Sequence, residues 1–141
     1  MIVITSKSDE PLNPHQLAHD PFAFGEIGSG FWRLNMRASW RPPTDVYETE
    51  DAIMVRMEIA GMKEPDFVIE LNGQHLSIRG VRPDANERRS YHQMEIRFGE
   101  FYVEFNLPSP VHNDQVEATY QDGFLRVTLP KAFPRQIHIE E

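Results

Sequence analysis

Val116-Glu-Ala-Thr-Tyr-Gln-Asp-Gly-Phe-Leu-Arg-Val-Thr-Leu-Pro-Lys131 holds two short runs of period two on either side of a turn. Val116, Ala118 and Tyr120 share one parity before Gln121-Asp122-Gly123. Leu125, Val127 and Leu129 share one after it, and the second run stops at Pro130. Successive side chains of a strand point to opposite faces, so each run buries one face and wets the other. Two such runs joined by turn residues form a β-hairpin.

The same grammar extends upstream. Ile53, Val55, Met57 and Ile59 take one parity and Met54, Arg56 and Glu58 the other, ending at Ala60-Gly61-Met62. Phe67, Ile69 and Leu71 alternate next, and Asn72-Gly73 leads into Leu76 and Ile78, with His75, Ser77 and Arg79 on the opposite parity; Asn-Gly between alternating runs predicts a hairpin. Phe101, Val103, Phe105 and Leu107 alternate against Glu100, Tyr102, Glu104 and Asn106 up to Pro108 and Pro110. Strands at this spacing, without a long amphipathic helix, predict an all-β antiparallel sandwich or barrel rather than an α/β fold.

Proline and the aromatics bound this region. Residues 1–41 read as an N-terminal arm ending at Pro42-Pro43, with apolar aromatic patches at Asp20-Pro21-Phe22-Ala23-Phe24 and Phe31-Trp32-Arg33-Leu34 that glycines interrupt. Residues 42–131 form the sandwich, and 132–141 a tail. One excursion does not fit the strand grammar. Arg82-Pro83-Asp84-Ala85-Asn86-Glu87-Arg88-Arg89 is polar and turn-rich, and a weak strand-like piece follows from Tyr91 to Phe98. If Met94, Ile96 and Phe98 share a face, this segment suits the sheet edge of a neighbouring subunit; the other reading is a mobile surface loop.

Composition removes several classes of function. A formal charge of −8 and a pI near 5.2 disfavour nucleic acid, whose recognition draws on clustered Lys and Arg. The absence of cysteine excludes disulfides, thiolate metal sites and cysteine nucleophiles, and fits a reducing compartment, so the cytoplasm is expected. Met1-Ile-Val-Ile is far too short for the apolar region of a signal peptide, and no stretch has the ~18 apolar residues of a membrane span, so no membrane partner is expected.

In the order in which they occur, these pieces resemble the alpha-crystallin domain of the small heat-shock proteins over about Pro43 to Lys131. The closing hairpin carries the family's A-x-x-x-x-G-x-L pattern at Ala118, Gly123 and Leu125. Asp45-Val46-Tyr47-Glu48, Glu58-Ile59-Ala60-Gly61-Met62, Leu76-Ser77-Ile78-Arg79-Gly80 and Phe105-Asn106-Leu107-Pro108 support it, and Ile137-His138-Ile139 resembles the family's C-terminal I-x-I motif. The chain departs at Val103, where the family commonly has an arginine, so ion pairs through that arginine are not carried over.

The resemblance implies an all-β, immunoglobulin-like antiparallel β-sandwich and an ATP-independent chaperone that holds partly unfolded client proteins. It also implies a dimer made by exchanging the strand Tyr91, His92, Gln93, Met94, Glu95, Ile96 and Arg97, and larger homo-oligomers built through tails and arms. On the same resemblance, a groove between the strand carrying Phe67, Ile69 and Leu71 and the strand carrying Val116, Ala118 and Tyr120 accepts Ile137 and Ile139. In an extended tail those two isoleucines point the same way. Phe22, Phe24, Phe31, Trp32 and Trp40 form the client-binding arm; the plainer reading is an arm that packs against the domain. No cofactor and no enzyme activity are expected. His15-Gln-Leu-Ala-His19 lacks the glutamate of a zinc-binding H-E-x-x-H, and the chain has neither a P-loop, a G-x-G-x-x-G fingerprint, nor a G-x-S-x-G nucleophile elbow. The rival reading is a monomeric β-sandwich co-chaperone or adaptor that binds one folded partner.

Overall fold

The run that decides the fold closes as a tight hairpin. β7 (Glu117–Gln121) and β8 (Phe124–Pro130) pair antiparallel, with Ala118 opposite Val127 and Gln121 opposite Phe124. Two residues remain for the loop, Asp122 at φ 54° and Gly123 at φ 79°. A two-residue loop that follows the right-handed twist of its strands needs positive φ at both positions, which is why Asp-Gly stands there.

The computed structural model describes residues 2–7 and 40–134. The other strands are β1 (Ile4–Lys7), β2 (Thr44–Glu48), β3 (Ala52–Glu58), β4 (Phe67–Asn72), β5 (His75–Arg82) and β6 (Gly99–Asn106). They form two four-stranded sheets, ordered β1-β4-β5-β6 and β2-β3-β8-β7. The structure is an all-β sandwich, one of the two architectures the alternation allows and the one the resemblance implies. Among the described strands all pairings are antiparallel except β1 with β4, which is parallel.

Alternation fixes which side chains fill the space between the sheets. Ile53, Val55 and Met57 of β3 and Leu125, Val127 and Leu129 of β8 face Ile69 and Leu71 of β4, Leu76 and Ile78 of β5, and Phe101 and Val103 of β6, all buried in one core cluster. Val103 lies opposite Ile78 inside this cluster, so the apolar side chain at the family's arginine position is a core contact. The β4–β5 hairpin turns at Gly73-Gln74, one residue beyond the Asn-Gly pair, because Asn72 still pairs with His75.

Two features follow the plainer reading of an arm that packs against the domain. β1 lies within the stretch read as an arm, yet it joins the sheet and buries Ile2 in the core. Trp40, assigned to the client-binding arm, is instead docked on the sandwich. Its indole N–H donates to the Gly99 carbonyl at 3.2 Å, its ring meets Phe101 edge-on at 5.8 Å, and it is half-buried against the core. An aromatic ring beside a partly covered core is drawn in by its own apolar area, and its N–H finds a backbone acceptor there.

Candidate functional site

The six groove residues come together on one flank of the sandwich. Phe67, Ile69 and Leu71 of β4 point inward and are buried, while Val116, Ala118 and Tyr120 are half-buried and pack against the same cluster. The Phe67 and Tyr120 rings meet at 5.0 Å between centroids, tilted by 55°, which joins the two sheets at this flank. The Tyr120 hydroxyl donates to the Ile59 carbonyl at 2.8 Å and accepts the Met62 N–H at 3.2 Å. Along the outer edge of β4 lies β1, with Ile4 opposite Ile69 and Ser6 opposite Leu71. The flank can therefore take a strand that inserts apolar side chains, and it holds one. Ile137, Ile139, Phe22, Phe24, Phe31 and Trp32 lie outside the described residues.

The candidate exchange segment sits between β5 and β6, whose register closes with Arg82 opposite Gly99. Tyr91, His92, Gln93, Met94, Glu95, Ile96 and Arg97 pair with no strand among the described residues, and all seven are exposed. Met94 is 66% and Ile96 65% exposed, large apolar side chains with little cover. At the start of the segment an Arg89 N–H donates to the Tyr91 hydroxyl at 3.0 Å, and the guanidinium pairs with Asp84 and Glu87. The Tyr91 bond and then Asp84 raise the Arg89 pKa, and the charge is held in place. At the end, Arg82 donates twice to the Arg97 carbonyl. Its guanidinium lies 4.2 Å from the Trp40 ring centroid and 5.3 Å from that of Phe98. This Trp40–Arg82–Phe98 stack anchors the base of the excursion.

The stack and β1 are what sequence reasoning missed. Arg82 reads as one more polar residue in a turn-rich stretch; of its two ring partners, Trp40 lies outside any periodic run and Phe98 closes the weak alternation of Met94 and Ile96. Ile2 and Ile4 do alternate, which is the signal for β1, but the run is too short to stand out. The far edge of the other sheet is also open: β2 pairs only with β3 among the described residues, and its Val46 and Tyr47 are exposed. Among those residues no helix is long and apolar enough to cross a membrane.

Comparison with known proteins fits this geometry. The model of the Hsp20/alpha crystallin family matches residues 45–140. Small heat shock protein C2 of Rickettsia felis is 29% identical over 92 residues, which are 64% of this chain and 60% of that protein. The 17.4 kDa class I heat shock protein of Oryza sativa subsp. japonica is 30% identical over 126 residues, 83% of this chain and 82% of that one. Heat shock protein 16.0 from Schizosaccharomyces pombe superposes with a TM-score of 0.67 at 28% identity, covering 73% of this chain and 97% of that chain. A family match over most of the chain, carried on the same sandwich, supports a chaperone role. The chain belongs to the Hsp20/alpha crystallin family, the small heat-shock proteins.

Proposed function

We propose that the protein is an ATP-independent holdase: it captures partly unfolded proteins on apolar surface, prevents their aggregation, and works as a dynamic homo-oligomer in the cytoplasm. The observation that carries this reading is the exposed apolar segment Tyr91–Arg97 beside a fold of this family, with an open β2 edge that suits it in a second copy. An unpaired edge attracts another strand, and Met94 and Ile96 supply apolar area for the contact. Residues 1–41, 42–131 and 132–141 divide into arm, sandwich and tail, except that Ile2–Lys7 and Trp40 attach to the sandwich.

Higher assembly uses the tail. Ile137 and Ile139 insert into the flank lined by Phe67, Ile69, Leu71, Val116, Ala118 and Tyr120 of another subunit. Burying two isoleucines contributes roughly 3–6 kcal/mol, whereas association costs at least about 4 kcal/mol in lost freedom. Each link is weak, and many in a closed assembly hold by raising the effective concentration while single subunits still exchange. Phe22, Phe24, Phe31 and Trp32 supply client-binding surface, and client capture of this kind needs no bond chemistry and no nucleotide.

Light scattering tests the assembly. Ile137→Ala with Ile139→Ala is expected to give smaller species, down to dimers, while circular dichroism still reports a folded sandwich; unchanged mass rejects the tail link. Scattering from a heat-labile client without ATP tests the activity. A monomer that leaves aggregation unchanged rejects the holdase and favours an adaptor with one folded partner.

A further inference from the structure

The chain carries the same spacing of isoleucines at both ends, Ile2-Val3-Ile4 and Ile137-His138-Ile139. The first is already in place. β1 runs along β4, Ile2 is buried in the core, Ile4 packs half-buried against it, and Val3 between them is 75% exposed. This is the burial pattern of any extended I-x-I segment whose outer residues enter an apolar flank while the middle one faces solvent. Spacing by two survives reversal of chain direction, so a segment can seat this way parallel or antiparallel to β4. His138 would take the outward place that Val3 holds, where a polar ring stays hydrated.

The outer edge of β4 pairs with one strand at a time, and β1 covers it. Phe67, Ile69 and Leu71 are buried while it does so. The second I-x-I segment starts three residues after Pro134, where the described chain ends.

We infer that Ile2-Val3-Ile4 is an internal competitor of Ile137-His138-Ile139 for the flank of β4, so that a subunit accepts a tail only when its own first strand lets go. This rests on the tail-in-groove reading and adds its regulator. The competitor is short enough to exchange, because β1 has four residues and the Ile2-Val3-Ile4 segment puts only Ile2 and Ile4 against the core. It is tethered by the 32 residues from Ser8 to Ser39, and closing a loop of that length sets a moderate effective concentration. A neighbour's tail within an oligomer is tethered too, so the two compete on similar terms. The apparent affinity for the tail falls by the fraction of subunits whose groove is open; if β1 is released about one time in ten, the tail binds about tenfold more weakly.

The test uses the full chain carrying Ile137→Ala and Ile139→Ala, so that its own tails leave the groove free, and a fluorescent peptide of residues 135–141 as probe. Adding Ile2→Ser and Ile4→Ser is expected to tighten peptide binding by about tenfold, with Val3→Ser leaving it unchanged. In a second measurement an unlabelled peptide of residues 1–7 displaces the probe, which keeps the test decisive should the serine variant fold poorly. Equal affinity with and without the serine changes, together with no displacement, overturns the competition while leaving the tail site intact. A probe that binds no variant, and whose isoleucine-to-alanine version behaves the same, overturns the shared groove and the tail reading with it.

Discussion

At Tyr120 a single side chain closes the flank in two ways, by its ring against Phe67 and by its hydroxyl between the Ile59 carbonyl and the Met62 N–H. Tyr120→Phe keeps the ring and strands both backbone groups in a half-buried place, which is expected to cost about 1–2 kcal/mol. A lower denaturant midpoint at unchanged slope is the reading that checks it. Gly80 sits between Phe67 and Phe101 in the register of β4, β5 and β6. A Cβ there would lie 2.5 Å from the Asp66 carbonyl oxygen and 2.8 Å from Cζ of Phe101, so Gly80→Ala must push backbone or ring aside. The expected loss is about 1–3 kcal/mol, seen as a lower Tm. Tyr120 was recognisable from sequence as an inward-facing strand residue. Its backbone partners lie 58 and 61 residues away, and no local spacing encodes such a pair.

Among the elements, those with long alternating runs were legible and those defined by a distant partner were not. β3, β4, β5, β6, β7 and β8 each carry a face that must be buried, and a slip of one residue would expose it, so their pattern and register are written locally. β1 and the residues just before it hold only two inward isoleucines, Ile2 and Ile4, and gain their place from the open edge of β4. Tyr91–Arg97 has the alternation of a strand but no strand partner among the described residues, so a dimer role can be tested without disturbing the sandwich. Met94→Asp with Ile96→Asp is expected to leave the Tm within about 0.5 kcal/mol of equivalent stability, because both side chains are exposed in the single chain. Mass by light scattering should fall from dimer-based assemblies to monomer; retained assembly would remove this segment from the interface.

For the whole molecule, the attachment of Ile2 and Trp40 to the core changes how an arm experiment is read. Deleting everything before Pro42 is expected to weaken client protection sharply, but it also strips Ile2 and Trp40 from the core and should lower the Tm. Phe22→Ser, Phe24→Ser, Phe31→Ser and Trp32→Ser in one chain separates the two effects. Loss of protection against client aggregation at unchanged Tm assigns capture to the arm, and full protection moves it to the sandwich.

The sequence by itself determined the all-β antiparallel architecture, its closing Asp-Gly turn and its core faces, because period-two alternation and Asp-Gly or proline punctuation act between neighbours in the chain. It also carried the family, through the closing hairpin from Val116 to Lys131 and the pieces before it. Tertiary structure alone decided that Ile2 and Ile4 lie along β4, that Trp40 leaves the arm to stack with Arg82 and Phe98, and that the Tyr120 hydroxyl ties Ile59 to Met62. Each of those contacts joins residues far apart in sequence, and their energy exists only once both sheets have brought the partners together.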